Sequence, residues 1–340
     1  MRFHWHTHHL TLTNPWGIAR GVSKEKEGWV FEIEHAGVIG HGEAAHTKRN
    51  GESLESVKLD FERVAAAAAG KDDPRALLDA LPFIGINGAS AAAIDVALHD
   101  WLAQQAGVAL HDFLGIKASP LPITSFSIGI DDAETIARKV EEAAEYPILK
   151  VKLGTDRDRE IIGAVRSVTN KPLRVDANEG WATRKEALEQ VKWLAGEGIE
   201  LVEQPLPAHR IADVAWLRER SPLPIVADED AMTSANLREL AVAYDGINIK
   251  LAKCGGLREA VRMLDLADEL GLRVMLGCMI ESSLGITAAA HLGARAEWLD
   301  LDGNLLVSDD SYVGLRCDRG VLTLPNAPGL GVTLVSPGRD

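Results

Sequence analysis

Apolar and polar positions alternate with period two up to about residue 60, as half-buried strands do. Trp29 to His35 (WVFEIEH) and Val38 to Glu43 (VIGHGE) read as antiparallel strands joined by a turn at Ala36-Gly37. His4, His6 and His8 alternate along the first strand and share one face, which reads as a solvated edge in preference to a metal site. From Ser53 to Gly115 the period becomes helical. The stretch ASAAAIDVALHDWLAQQAG has the small-residue density of a helix packed closely against its neighbours.

After Leu121 the rhythm changes again. Short apolar runs alternate with amphipathic helical segments: SFSIGI, ILKVKLG, LRVDAN, IELVEQP, LPIVADED, GINIKLAK, LRVMLGC and WLDLDG. Eight strand candidates recur at roughly 25-residue intervals, each but the last followed by a helical pattern. That predicts a closed parallel α/β barrel of the TIM type in place of a doubly wound sheet. The last run leads into turns and a Pro/Gly-rich tail, so one βα unit is irregular and the tail is expected to return over the N-terminal part.

Composition narrows the partners. The 340 residues are 46% hydrophobic and 25% charged, with a net charge of −14. This is the make-up of a globular protein with no basic track for nucleic acid. Cys254, Cys278 and Cys317 form no CxxC pair and no zinc-like spacing, and reduced thiols point to the cytoplasm. No secretory signal is visible at MRFHWHTHHL, and no membrane span is expected. A homo-oligomer is compatible with the sequence, which does not specify one.

The chemistry sits at the strand ends, where a parallel barrel places its active site. The second run ends in Lys150-Val-Lys152, the third in Asp176, the fourth in Glu203 and the fifth in Asp228. The sixth ends in Lys250, the seventh leads to Glu281 and Ser282, and the eighth ends in Asp300 and Asp302. Solvation does not explain charged residues that each follow an apolar run. Three carboxylates from adjacent strands repel one another, and a hard divalent cation such as Mg²⁺ removes that conflict. Lys150 and Lys152 point to the same interior face, and Lys250, four strands on, lies across the lumen. Near a cation and other ammonium groups, such lysines are expected to have lowered pKa values and to act as bases. Two bases flanking one carbon suit proton removal from one face and return to the other. The metal and Lys150 would stabilise the enediolate of a substrate carboxylate. A metal-dependent hydrolase would want histidines at the strand ends, and there are none.

As a combination, KVK, the Asp176/Glu203/Asp228 trio with VEQP and ADE, Lys250 before Gly255-Gly256 and the Ala89–Gly115 stretch resemble the enolase superfamily, in its muconate-lactonizing-enzyme subgroup. The resemblance spans nearly the whole chain. It implies a modified (β/α)7β barrel with an α+β capping domain built from both termini: 1–118 for the cap, 119–310 for the barrel and 311–340 returning to the cap. It also implies Mg²⁺ on the trio. The pair Asp300 and Asp302 in LDLDG, with GCMIESSLGITAA, resembles the dipeptide epimerases, where a DxD pair binds the substrate's free α-ammonium. Glu281, Ser282 and Ser127 join it as substrate-binding candidates. NPWGIARG places Arg20 either against a side-chain carboxylate or in an interdomain salt bridge. This region resembles the Ala-Glu epimerases of murein peptide recycling, and His46, Lys48 and Arg49, after the second strand, add positive charge that favours an acidic side chain. The alternative on the same site is an N-acylamino acid racemase or a cycloisomerase.

Overall fold

The computed structural model describes residues 1–117 and 119–335; Ala118, at the expected edge of the cap, and 336–340 of the tail lie outside the described residues. The chain opens with a three-stranded antiparallel sheet, β1 (Arg2–Ile18), β2 (Gly21–His35) and β3 (Val38–Ala44). The β2–β3 turn is the expected Ala36-Gly37, at φ 49° and 78°, the left-handed geometry that matches the twist of a tight hairpin. Phe31 and Ile33 pack with a helix, Gly88–Ala106, while Val30, on the opposite face of β2, joins the core cluster shared with the barrel; all three are fully buried.

That helix is the Ala-rich stretch, and its small residues serve close approach. A Cβ on Gly42 would lie 1.9 Å from the Ala93 carbonyl oxygen, and one on Gly40 would lie 2.1 Å from that of Ala97. Glycines on β3 and alanines on the helix therefore let two backbones touch. Phe31 and Phe61 pack beside them with tilted rings, centroids 4.9 Å apart.

Eight parallel strands follow: β4 (Phe126–Ile128), β5 (Leu149–Lys152), β6 (Leu173–Asp176), β7 (Ile199–Glu203), β8 (Ile225–Ala227), β9 (Gly246–Ile249), β10 (Arg273–Gly277) and β11 (Trp298–Asp300). They are hydrogen-bonded in sequence order, and a parallel bridge from Thr124 to Leu299 joins the last to the first. Each strand but β11 leads into helix; β11 leads only into a 3-10 turn, Gly303–Leu306. The barrel core is Val, Ile and Leu, continuous around the ring, as expected for strands covered on both faces.

The segment after β11 bridges both parts. Val307 pairs with Leu12 of β1, the Gly329 amide donates to the Val108 carbonyl, and the Leu315 amide donates to Thr287 Oγ1. Among the described residues no helix is long and apolar enough to cross a membrane.

Candidate active site

The C-terminal ends of the barrel strands open into a cavity of about 760 Å³, roofed by cap residues from 16–27 and 45–50. Its floor is assembled by strand register. Lys152 of β5 lies opposite Asp176 of β6, and Asp176 opposite Glu203 of β7; Asp228 follows β8 directly. Parallel neighbours thus bring three carboxylates together, with one oxygen of each within 4.8 Å of the others.

Lysines surround this trio. Lys150 Nζ, completely buried, lies 2.6 Å from both Glu203 Oε2 and Asp300 Oδ2. Lys152 Nζ donates to Asp176 Oδ2 at 2.7 Å, and Lys250 Nζ to Asp228 Oδ2 at 2.9 Å. β5 and β9 stand four apart in the ring, so Lys152 and Lys250 come from opposite sides of the lumen, each bonded to a different acid of the trio.

The lowering expected for the lysines was that beside a cation; the carboxylates by themselves act on Lys250 in the other direction. Burial alone would lower it, but the Asp228 and Glu203 carboxylates outweigh burial and hold it above the ordinary lysine range. Lys150 is raised likewise by Asp300 and Glu203 against the effect of burial. The physical reason is that the carboxylates' negative charge is still free to stabilise ammonium. A cation drawing on the same oxygens acts in the opposite direction.

The residues fit such a cation. Glu203 Oε2 is buried with no aligned hydrogen bond, despite its short approach to Lys150. Burial, then the neighbouring Asp176, pushes Glu203 up to about 7. Three all-oxygen donors holding more negative charge than they can comfortably share suit a hard divalent ion.

Asp300 and Asp302 both reach the cavity. Asp300 is held down by Lys150 against its burial, whereas burial and then Asp300 itself push Asp302 upward. Asp302 Oδ2 accepts the Ser127 amide at 2.6 Å, and Ser127 Oγ lies 3.5 Å from Asp300 Oδ1. Among the described residues the pair has one ion-paired lysine, Lys150 on Asp300, for two carboxyls that line the cavity.

Other candidates are placed differently. Ser282 caps the helix Ser283–Ala290, and its hydroxyl and amide both donate to Glu43 of β3. Glu281 Oε1 accepts the Met279 amide at 2.7 Å, and its carboxyl is pushed up to about 8 by burial and then by Glu43. Neither Glu281 nor Ser282 lines the cavity, although Met279 and Ile280 beside them do. Arg20 lines it, with Nη1 on Glu229 Oε1 at 3.0 Å and Glu179 Oε2 at 3.3 Å. His8 leaves the solvated face expected for it: its Nε2 lies 3.1 Å from Glu43 Oε1.

Several participants carried no signal that the strand-end pattern registers. Lys253, on the short helix Leu251–Cys254, turns back so that Nζ contacts Asp228 Oδ1 and the Asn248 carbonyl. Its place three residues after Lys250, one helical turn on, was the available cue. Asn178 donates to Asp176 through its amide at 2.8 Å, and Asn248 Nδ2 donates to Glu203 Oε1 at 2.8 Å. Asn178, Glu179 and Gln204, just past β6 and β7, have φ of 44°, 66° and 36°, strained positions of the kind that gather at functional sites.

Known proteins carry the same architecture. Residues 132–337 match the family described as enolase C-terminal domain-like, and 4–115 the mandelate racemase / muconate lactonizing enzyme N-terminal domain. An L-Ala-D/L-Glu epimerase of Bacteroides thetaiotaomicron is 42% identical over 88% of this chain and 79% of its own length. An L-Ala-D/L-amino acid epimerase of Pedosphaera parvula is 41% identical over 94% of both. Among solved structures, the substrate-liganded L-Ala-D/L-Glu epimerase from Bacillus subtilis superposes with a TM-score of 0.93 at 31% identity, covering 99% of each chain. The dipeptide epimerase from Cytophaga hutchinsonii, complexed with Mg and the dipeptide D-Ala-L-Val, gives 0.92 at 28% identity, covering 98% of this chain and 95% of its own. The barrel, its cap and these relatives agree: the chain belongs to the enolase superfamily, in the mandelate racemase / muconate lactonizing enzyme group, and is an isomerase of the epimerase and racemase kind.

Proposed function

We propose that this protein is a dipeptide epimerase that inverts the α-carbon of the C-terminal residue by two-base proton transfer, with L-Ala-D/L-Glu as substrate. The observation that carries this reading is the placement of Lys152 and Lys250. They come from opposite sides of one cavity, on separate carboxylates, with Asp300 and Asp302 opening into the same space.

Asp176, Glu203 and Asp228 would hold Mg²⁺, which when bound supplies positive charge to a substrate carboxylate as its α-proton leaves. Lys152 or Lys250 takes the proton from one face, and its partner delivers one to the other. Lys150, locked on Glu203 and Asp300, places a fixed positive charge beside the developing enediolate. Asp300 and Asp302 take the substrate's free α-ammonium, with Ser127 holding Asp302 in place. An N-acylamino acid racemase or a cycloisomerase offers no ammonium to Asp302, which leaves a buried carboxyl without a cation. Trp16, whose ring centroid lies 5.9 Å from Lys152 Nζ, helps to keep water from the base. The reading places the reaction in murein peptide recycling in the cytoplasm, and Glu281 and Ser282 act through the Met279–Ile280 wall instead of touching substrate.

Incubation with L-Ala-L-Glu and Mg²⁺ in deuterated water tests the proposal. Deuterium should enter the α-carbon of the C-terminal residue as the D-epimer accumulates. Absence of both, with this and a panel of other dipeptides, ends the epimerase reading.

A further inference from the structure

The two lysines assigned to proton transfer are held in place by different parts of the molecule. Lys152 ends β5 and leads into a turn that the barrel secures by itself. The buried Asp158 carboxylate accepts the Gly154 amide at 3.0 Å, the Thr155 amide at 2.8 Å and Trp181 Nε1 at 2.9 Å. Lys250 follows β9 and leads into the short helix Leu251–Cys254, and the side chain that secures the far end of this turn comes from the cap. Asp95 is buried on the helix Gly88–Ala106, and its Oδ1 accepts the Leu257 amide at 2.6 Å and the Arg258 amide at 3.3 Å.

Those two amides open the helix Leu257–Leu270, whose N-cap residue, Gly256, has no side chain with which to accept them. A carboxylate from another element takes that place only if the two backbones come close. A Cβ on Gly256 would lie 2.5 Å from Asp95 Cβ, and one on Gly88 would lie 2.7 Å from the Lys253 carbonyl oxygen. Glycine on each side therefore lets the cap helix and the turn meet. His99, one helical turn on from Asp95 and also buried, has Nδ1 2.8 Å from the Asp95 carbonyl and 3.2 Å from Oδ1, which holds the carboxylate's direction. The turn itself is closed by its own backbone: the Lys250 carbonyl accepts the Lys253 and Cys254 amides at 3.0 and 3.1 Å. A shift at Leu257 thus reaches Lys250 through one hydrogen-bonded turn.

We propose that Asp95 is a positioning residue for Lys250, so that proton transfer on one face of the substrate depends on the cap, while transfer on the other depends on the barrel through Asp158. The proposal rests on the two-base epimerase reading and adds which side chains aim each base. Asp95 touches no reacting atom and acts only through the turn. A carboxylate that merely stabilised the cap–barrel contact would affect both faces equally.

The test measures α-deuterium exchange in deuterated water with Mg²⁺, starting separately from L-Ala-L-Glu and from L-Ala-D-Glu. Lys250→Ala identifies the epimer from which Lys250 takes the proton. In Asp95→Ala, exchange from that epimer should fall about tenfold relative to the other, inside the roughly 10²-fold that a misplacement of about 1 Å costs. Asp158→Ala should move the ratio in the opposite direction. Asp95→Asn, which keeps a carbonyl oxygen for the Leu257 amide, should restore most of the balance. An equal loss from both epimers, an unchanged ratio, or a ratio that Asp158→Ala moves in the same direction overturns the proposal. If Asp95→Ala does not fold, Asp95→Ser, too short to reach that amide, is read in the same way. If the wild type exchanges deuterium into no dipeptide, the epimerase reading falls, and backbone amide exchange decides the positioning. Protection in the Asp95 variant should then drop at 251–258 and hold at 153–156; a uniform drop, or none, overturns it.

Discussion

The floor and the mouth of the cavity are both rich in charge, and they handle it in opposite ways. At the floor, Lys150, Lys152, Lys250 and Lys253 are buried against Asp176, Glu203, Asp228 and Asp300, each lysine within hydrogen-bonding reach of a carboxylate. Water is largely absent there, so every charge must find a counter-charge, and the geometry becomes rigid. At the mouth, Lys48 is exposed and Lys26 half-buried, so water can solvate both, and neither is in an ion pair among the described residues. A chemistry common to many substrates suits the rigid region, and selection of a side chain suits the adaptable one.

The largest effects should come from the floor. Lys152→Ala and Lys250→Ala should each lower epimerisation by about 10²- to 10⁴-fold, the range for loss of a positioned acid or base. Each variant should keep α-deuterium exchange from one stereoisomer, because only one face has lost its base. Normal epimerisation by both variants would break the contrast at its root. Removing the metal comes next: a chelator should abolish turnover and lower the melting temperature, both restored by Mg²⁺. Saturation at 100 times the dissociation constant stabilises by about 2.7 kcal/mol. Chelation without consequence would show that the trio balances its charge by lysines alone.

Away from the cavity lining, at the cap–barrel contact, lies Glu43, a buried cap residue that accepts from His8 and from the Ser282 and Gly285 amides of the barrel. Glu43→Ala should cost about 3 kcal/mol in urea unfolding, as for other broken buried pairs. The pair also carries a pH signature. Glu43 is lowered from 4.5 by His8 and the Ser282 hydrogen bonds, against its burial. Its contribution is therefore present above pH 4.5 and lost as pH falls through the lower folded value. His8 is raised from 6.5 by Glu43 against its burial. Its contribution is present below pH 6.5 and lost as pH rises through the higher folded value. The melting-temperature gap between wild type and His8→Gln should peak between about pH 4.5 and 6.5 and shrink in alkali; a flat gap would separate this pair from the buried class. The smallest effect belongs to the Arg49–Glu179 pair at the mouth. Arg49→Ala removes a partly exposed pair and should cost less than about 1 kcal/mol of stability, with its main trace in KM.

The floor was legible in the sequence because each of its charges interrupts an apolar run at a fixed place, the end of a barrel strand. Asp176, Glu203, Asp228 and the lysines announce themselves in LRVD, LVE, VADED, LKVK and INIK. Lys253 was not legible in that way, since it stands on a helix and reaches back to Asp228 only through the chain's turn at Leu251. His8 read as part of a solvated edge and Glu43 carried no signal, because nothing local says that a barrel helix covers that face. The pairing of Arg20 with Glu229 joins residues far apart in the chain, and no local pattern records it.

By itself, then, the sequence determined the alternation of strand and helix, the closure into a barrel and the residue types at its rim. Those follow from periodicity and from the cost of placing charge after apolar positions. Only the tertiary structure decided which charges are satisfied. The cap's position over the rim buries Glu43 and pairs Arg20 with Glu179 and Glu229, because pairing depends on distances between segments that share no local pattern.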